Sequence, residues 1–202
     1  MQEHLKVYLA GPEVFLPEAK KIGQAKKALC AEYGFEGLFP FDNEVPQSGS
    51  GDGIDRSIYR ANVAMIHAAD CGIFNLTPFR GPSADAGTVF ELGVMTGLGK
   101  TAFAYSNEDS TLLDRLKRNH LAAFDKTTSQ WRDHSGMTIE NFENADNLML
   151  DACLAEQGHP IIRRQVIAAR RFGDLEGFVN CLEWARQHFS VKQPARDVAF
   201  TG

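Results

Sequence analysis

Short apolar runs alternate with amphipathic and polar stretches along the first half of the chain. Leu5–Ala10 (LKVYLA) predicts a first strand, closed by Gly11-Pro12. Pro17–Tyr33 predicts an amphipathic helix that turns Lys20, Lys21, Lys26 and Lys27 outward and stops at Gly34. Gly37–Phe41 predicts a second strand, Ile54–Ala69 a helix, and Cys71–Leu76 a buried third strand. Asp85–Leu98 predicts a further helix and Thr101–Tyr105 a fourth strand. Two loops interrupt the pattern. Asp42–Gly53 (DNEVPQSGSGDG) is rich in Gly, Ser and Pro, and Thr77–Ala84 carries two prolines and a glycine. Strands that alternate with helices give a parallel sheet. Right-handed crossovers then favour a doubly wound, flavodoxin-like α/β fold.

Beyond Tyr105 the periodicity loosens. Leu112–Leu121 reads as helical, Ala122–Asn144 is polar and supports no assignment, and Asp146–Glu156 (DNLMLDACLAE) reads as a capped helix. Leu175–Phe189 adds another helix, and Ser190–Gly202 has the composition of a mobile tail. At 202 residues the expectation is a single domain, with a core over about 5–155 and additional C-terminal helix and tail over 156–202.

One position breaks the hydrophobic pattern. In Ala86–Gly99 (AGTVFELGVMTGLG) the single charged residue is Glu91, ringed by Val89, Phe90, Leu92, Val94, Met95 and Leu98. A helix apolar on all sides is normally buried, and a buried carboxylate is costly unless paired or hydrogen-bonded. Glu91 is therefore either a structural group with its own partners or a reactive carboxylate aimed into a pocket. The upstream segment favours the second reading. Asp70 opens the third strand, and Asp85 stands where the following helix needs an N-cap. Ligands of open parallel sheets bind outside the carboxyl ends of the strands. Asp85 alone would be explained by capping.

Composition narrows the classes. The hydrophobic content of 44% suits a globular core and argues against a disordered chain. A net charge of −5 offers no general attraction for nucleic-acid polymers or membranes. The pairs Arg163-Arg164 and Arg170-Arg171 read as a solvated helix face. No apolar run approaches membrane-spanning length, and MQEHLKVYLAGP lacks a signal-peptide layout. Cys30, Cys71, Cys153 and Cys181 are widely spaced, which suggests reduced thiols in a cytoplasm.

Several chemistries fail on spacing. Gly99-Lys100-Thr101 lacks the glycine a phosphate loop needs, since position 94 is Val94, and it leaves a helix instead of entering one. Lys100 reads better as a partner for a helix C-terminal dipole. Leu9-Ala10-Gly11-Pro12 is not a dinucleotide fingerprint, so no cofactor is expected. The six histidines show no metal-ligand spacing, and no G-x-S-x-G elbow is present. Tyr8, taken alone, is a core aromatic. The carboxylates remain the best chemistry available.

Read as an ordered set, the blocks resemble the nucleoside 2-deoxyribosyltransferase family. The resemblance rests on Val7-Tyr8-Leu9-Ala10-Gly11-Pro12, on Phe39-Pro40-Phe41-Asp42-Asn43-Glu44, and on Ala69-Asp70. It continues through Leu76-Thr77-Pro78-Phe79-Arg80-Gly81-Pro82, Asp85-Ala86-Gly87-Thr88, Glu91-Leu92-Gly93 and Asp146-Asn147-Leu148-Met149. It covers Leu5–Tyr105 well and Asp146–Leu150 more thinly; residues 108–138 and those after about 156 are not covered. The resemblance implies that Glu91 is the nucleophile, that Tyr8 orients it, and that Asp70 helps protonate the departing base. It also implies that Asp85 binds the deoxyribose hydroxyls. Asn147 and Met149 would reach the site of a neighbouring subunit, so a homo-oligomer, at least a dimer, is expected. Glu44 stands on the base side where some members carry Gln, and Phe15 is placed with it among the substrate-binding residues.

The implied reaction is base exchange on 2′-deoxyribonucleosides, with free nucleobases as acceptors and no cofactor or metal. A carboxylate beside C1′ can capture an oxocarbenium-like centre covalently, by the logic of a retaining glycosidase. Two alternatives stay open. One is an N-glycosidase of 2′-deoxynucleoside 5′-monophosphates with water as acceptor, which Arg80 and Ser83 leave room for and Asp85 would oppose by repelling the phosphate. The other is a non-catalytic nucleotide-binding module, which gains little from burying Glu91.

Overall fold

Val7, Leu9, Cys71 and Ile73 pack on one side of a sheet and Tyr8, Ala10 and Phe74 on the other, all fully buried. Strands buried on both faces need helices on both faces. A computed structural model describing residues 4–42 and 53–192 shows how the chain supplies them. In order come β1 (Leu5–Ala10), α1 (Ala19–Glu32), β2 (Phe35–Leu38), α2 (Ile54–Ala68), β3 (Cys71–Asn75), α3 (Ala86–Gly97) and β4 (Thr101–Ser106). There follow α4 (Leu112–Arg118), a small hairpin of β5 (Ala123–Asp125) and β6 (Gln130–Arg132), α5 (Leu148–Glu156), β7 (Ile162–Arg163) and α6 (Glu176–Lys192). The main sheet runs β2-β1-β3-β4-β7 with every pair parallel. That order is the doubly wound, flavodoxin-like one, with its switch point between β1 and β3.

Each face has its own core. Ile66 of α2, Leu92 and Met95 of α3, and Leu150 and Leu154 of α5 pack with Tyr8, Phe74 and Ala104. Cys30 of α1 and Phe178, Cys181, Leu182 and Ala185 of α6 pack with Val7, Leu9, Ile73, Phe103 and Tyr105. The four cysteines are free thiols. No described helix is long and apolar enough to cross a membrane.

Differences from the sequence reading have local causes. β2 begins two residues earlier than expected and ends before Pro40, which cannot donate to a ladder; Pro40–Asp42 forms a 3₁₀ turn instead. β7 is only two residues long, too short to leave a period, and pairs Tyr105 with Ile162. Arg163, its last residue, and Arg164 after it do not form a helix face. Arg163 donates to the carbonyls of Asp109 and Glu143, and Arg164 pairs with Asp174 and Glu176, pinning the loops at the end of β4. The hairpin occupies the stretch that supported no assignment, and α6 runs through Lys192, so part of the expected tail is helical.

Lys26 also departs from expectation. It shares the buried stripe of α1 with Ala19, Gly23 and Cys30, and its ammonium contacts the equally buried carboxylate of Glu13. Burial pulls the Lys26 ammonium down to about 7, and the adjacent carboxylate makes a charge there tolerable. Removing one partner of such a pair typically costs about 3–5 kcal/mol.

Lys100 caps a helix, though not the one it follows. Its Nζ donates to the carbonyls of Ile66, His67 and Ala69, at 3.0, 2.6 and 2.6 Å, closing the C-terminus of α2.

Candidate active site

Tyr8 lies mid-strand in β1 with its side chain on the α3 side, where the register opposite is Gly72. Its hydroxyl donates to Glu91 Oε1 at 2.8 Å. Asn62, from the adjoining α2, donates its amide to the same oxygen at 3.0 Å. Two donors thus converge on Oε1, and among the described residues no hydrogen bond holds Oε2. Burial raises the Glu91 pKa, the two donors pull it back, and the nearby Asp85 carboxylate raises it further. Burial and the Glu91 charge push the Tyr8 hydroxyl up, so it stays a proton-bearing donor. The result is a half-buried carboxylate, held by one oxygen and presenting the other. This geometry suits a nucleophile.

Asp85 caps α3, accepting from the Thr88 amide at 2.9 Å and the Thr88 hydroxyl at 3.1 Å through one oxygen, Oδ2. The loop before it is tied down from two sides. The Ala84 amide donates to Asp146 Oδ2 at 2.8 Å, and Arg115, buried, donates to the carbonyls of Pro82, Ser110 and Ala145. Asp146 is therefore a loop anchor; the residue that caps α5 is Asn147, whose Oδ1 accepts the Met149 amide at 3.0 Å.

At the carboxyl ends of β1 and β3 stands an aromatic pair. Phe15, half exposed, stacks on Phe79 with ring centroids 5.2 Å apart and planes within 11°. The Arg80 guanidinium lies 5.0 Å and 4.6 Å from the two ring centres. Arg80 takes a left-handed backbone conformation (φ 55°) inside a turn closed by the Phe79 amide on the Ser83 carbonyl.

Asp70 is not brought to this end. It lies at the amino edge of β3, exposed, and its Oδ2 accepts the Lys6 amide at 2.7 Å while its own amide donates to the Lys6 carbonyl. The contact with the leaving base that the resemblance implies is not what the structure displays; Asp70 is a structural tie at the foot of β1. Asn147 and Met149 are on the surface, Met149 68% exposed, and Asn147 donates to Glu140. Glu44 lies outside the described residues. The sequence reading missed Asn62. Its signal was a lone amide on the α2 face that turns toward α3, visible only once the helices are paired.

The nucleoside 2-deoxyribosyltransferase family model matches residues 7–149. The chain belongs to this family. Among solved structures, the 2-desoxiribosyltransferase of Leishmania mexicana is 26% identical, with a TM-score of 0.64 over 91% of this chain and 98% of that one. A conserved protein from Enterococcus faecalis V583 is 17% identical at a TM-score of 0.54, covering 91% and 99%, and shares the fold. The uncharacterized protein C191.05c of Schizosaccharomyces pombe is 35% identical over 114 residues, which are 55% of this chain and 54% of that protein. The chain thus spans about half the length of this curated relative. Tyr8, Asn62, Asp85 and Glu91 all lie inside the matched family region.

Proposed function

We propose that this family member is a base-exchanging transferase that acts on 2′-deoxyribonucleosides through a covalent deoxyribosyl-Glu91 intermediate. The observation that carries the reading is the convergence of Tyr8 and Asn62 on one oxygen of a half-buried carboxylate. Glu91 Oε2 attacks C1′ as the N-glycosidic bond breaks, and the bond's electron pair passes to the base nitrogen, which is then protonated. A second base attacks C1′ from the vacated side and gives up its N–H proton, balancing the one the first base took up, and Glu91 departs as a carboxylate stabilised by the same two donors. Asp85, whose charge reaches Glu91, suits the hydroxyls of the sugar and disfavours a 5′-phosphate. Phe15 and Phe79 offer a flat surface for a nucleobase. The reading requires no cofactor and places the enzyme in the cytoplasm as one domain acting in nucleotide salvage.

The exposed Met149, with Leu148 beside it, and the exposed pair Tyr59 and Phe90 next to Glu91 favour a homo-oligomer in which the Asn147–Met149 turn completes a neighbour's site. Mixing inactive Glu91→Ala and Asn147→Ala subunits should then restore part of the activity. No recovery after verified subunit exchange would refute the sharing.

The decisive experiment is incubation with 2′-deoxyinosine, with and without adenine, followed by chromatography. The expected products are 2′-deoxyadenosine and hypoxanthine, accumulating over many turnovers only with adenine present and lost in Glu91→Gln. Free deoxyribose as the main product, or a preference for 5′-monophosphates, would replace the transferase reading with the hydrolase one.

A further inference from the structure

Glu13 and Lys26 lie on the face of the sheet opposite Glu91, and the chemistry above makes no use of them. They belong to a continuous buried chain of polar groups. Lys26 Nζ contacts Glu13 Oε1, and Asn75 Nδ2 donates to Glu13 Oε2 at 2.9 Å. Asn75 Oδ1 accepts from the Thr77 amide at 3.1 Å and the Thr77 hydroxyl at 2.6 Å. The Asn107 amide donates to Thr77 Oγ1 at 3.0 Å, and the Asn107 side chain reaches the carbonyls of Arg171 and Asp174. Glu13, Lys26, Asn75, Thr77 and Asn107 are all fully buried.

The two aromatic residues at the mouth are each two residues from this chain: Glu13 precedes Phe15, and Thr77 precedes Phe79. Asn75 joins both segments, with one atom of its amide group on each. The segment that carries Phe15 is a single 3₁₀ turn whose own amide bonds run at 3.5 and 3.1 Å, so local hydrogen bonding holds it only weakly. Its fit is nevertheless tight. A Cβ on Gly11 would lie 2.2 Å from Glu13 Oε2 and 2.6 Å from Asn75 Cβ, so the backbone approaches the network as closely as glycine allows. An apolar pair of similar volume would be at least as stable as a buried ion pair. What directional polar bonds add is a defined placement of the segments they join.

We infer that Glu13, Lys26, Asn75 and Thr77 are positioning residues that set the Phe15–Phe79–Arg80 stack, and through it the grip on the nucleobase. The last clause rests on the transferase reading; the positioning itself does not.

The test uses Thr77→Val, which deletes the bridging hydroxyl, with Thr77→Ser as the conservative control. The paired variant Glu13→Gln/Lys26→Met neutralises the ion pair and carries the same test should Thr77→Val fail to fold. The chain is labelled with 4-fluorophenylalanine, and the Phe15 and Phe79 fluorine resonances are assigned with Phe15→Leu and Phe79→Leu. Both resonances should shift in Thr77→Val and in the paired variant and return in Thr77→Ser. In base exchange the KM for adenine should rise about tenfold while kcat changes less than about threefold. Unmoved resonances in either folded variant overturn the positioning, whatever the enzyme does. Shifted resonances with an unchanged KM overturn its role in holding the base. Should the wild-type chain exchange no bases, the transferase reading has failed, and the resonances alone decide the positioning.

Discussion

Tyr8→Phe removes one hydroxyl and leaves a ring of nearly the same shape. The ring is fully buried against Phe74, 6.5 Å away between centroids, so its packing should survive. What is lost is the 2.8 Å donor to Glu91 Oε1. A hydrogen bond to a charged group contributes about 1.5–3 kcal/mol, and because Asn62 still donates to the same oxygen, the lower part of that range applies. About 1.5–2 kcal/mol corresponds to a roughly 10- to 30-fold loss in rate. The loss should fall on the second half-reaction, in which Glu91 recovers its negative charge as it leaves C1′. The assay is a rapid-quench measurement with 2′-deoxyinosine. Release of hypoxanthine should show a burst, followed by slow transfer to adenine. The donor also favours the ionised carboxylate, so its removal should move the acid limb of the pH–rate profile to higher pH. A loss below about twofold with an unmoved acid limb, or a limb displaced to lower pH, would refute this account of Tyr8.

Burial raises the Glu91 pKa, so the folded chain binds that proton more readily than the unfolded chain does, and stability falls as pH rises through the two values. Glu91→Gln should therefore raise Tm at neutral pH, with the gain fading below about pH 4, where the carboxyl is protonated in both states; an unchanged gain at every pH would contradict it. The same variant should lose roughly three to six powers of ten in kcat. Asp70→Asn should leave kcat and KM within about twofold and stability within about 0.5 kcal/mol. A loss that grows with poorer leaving bases would return Asp70 to the chemistry.

The central half of the fold was legible because its signals are strong and local. Short, mainly apolar runs marked β1 and β3, and Asp85 before the apolar helix marked the start of α3 and put Glu91 within it. Residues whose meaning depends on a partner were not legible. Lys26 and Glu13 look like surface charges until the stripe through Ala19, Gly23 and Cys30 is seen to face α6 and β4. Asn62 is an ordinary polar residue until α2 lies beside α3. Asp70 differs in the opposite sense, since the resemblance put it beside the base, whereas its exposed carboxylate is tied to the Lys6 backbone at the foot of β1. β7 held too few residues to carry any pattern, and its two-residue ladder depends wholly on β4 being there to receive it.

Lys100 makes one end of the α2–α3 pair a fulcrum. Its ammonium gathers three carbonyls from the last turn of α2 and the residue after it, and it follows directly on the turn that ends α3. The two helices that supply Asn62 and Glu91 are thus fastened together where they are farthest from the mouth. The expected motion of the pair is therefore smallest near Ile66 and Ala69 and larger toward Ile54. Amide exchange along α2 should show that gradient, slow at the fastened end and fast at the other. On the transferase reading, such a fastening would keep the carboxylate and its amide donor together while a base is exchanged.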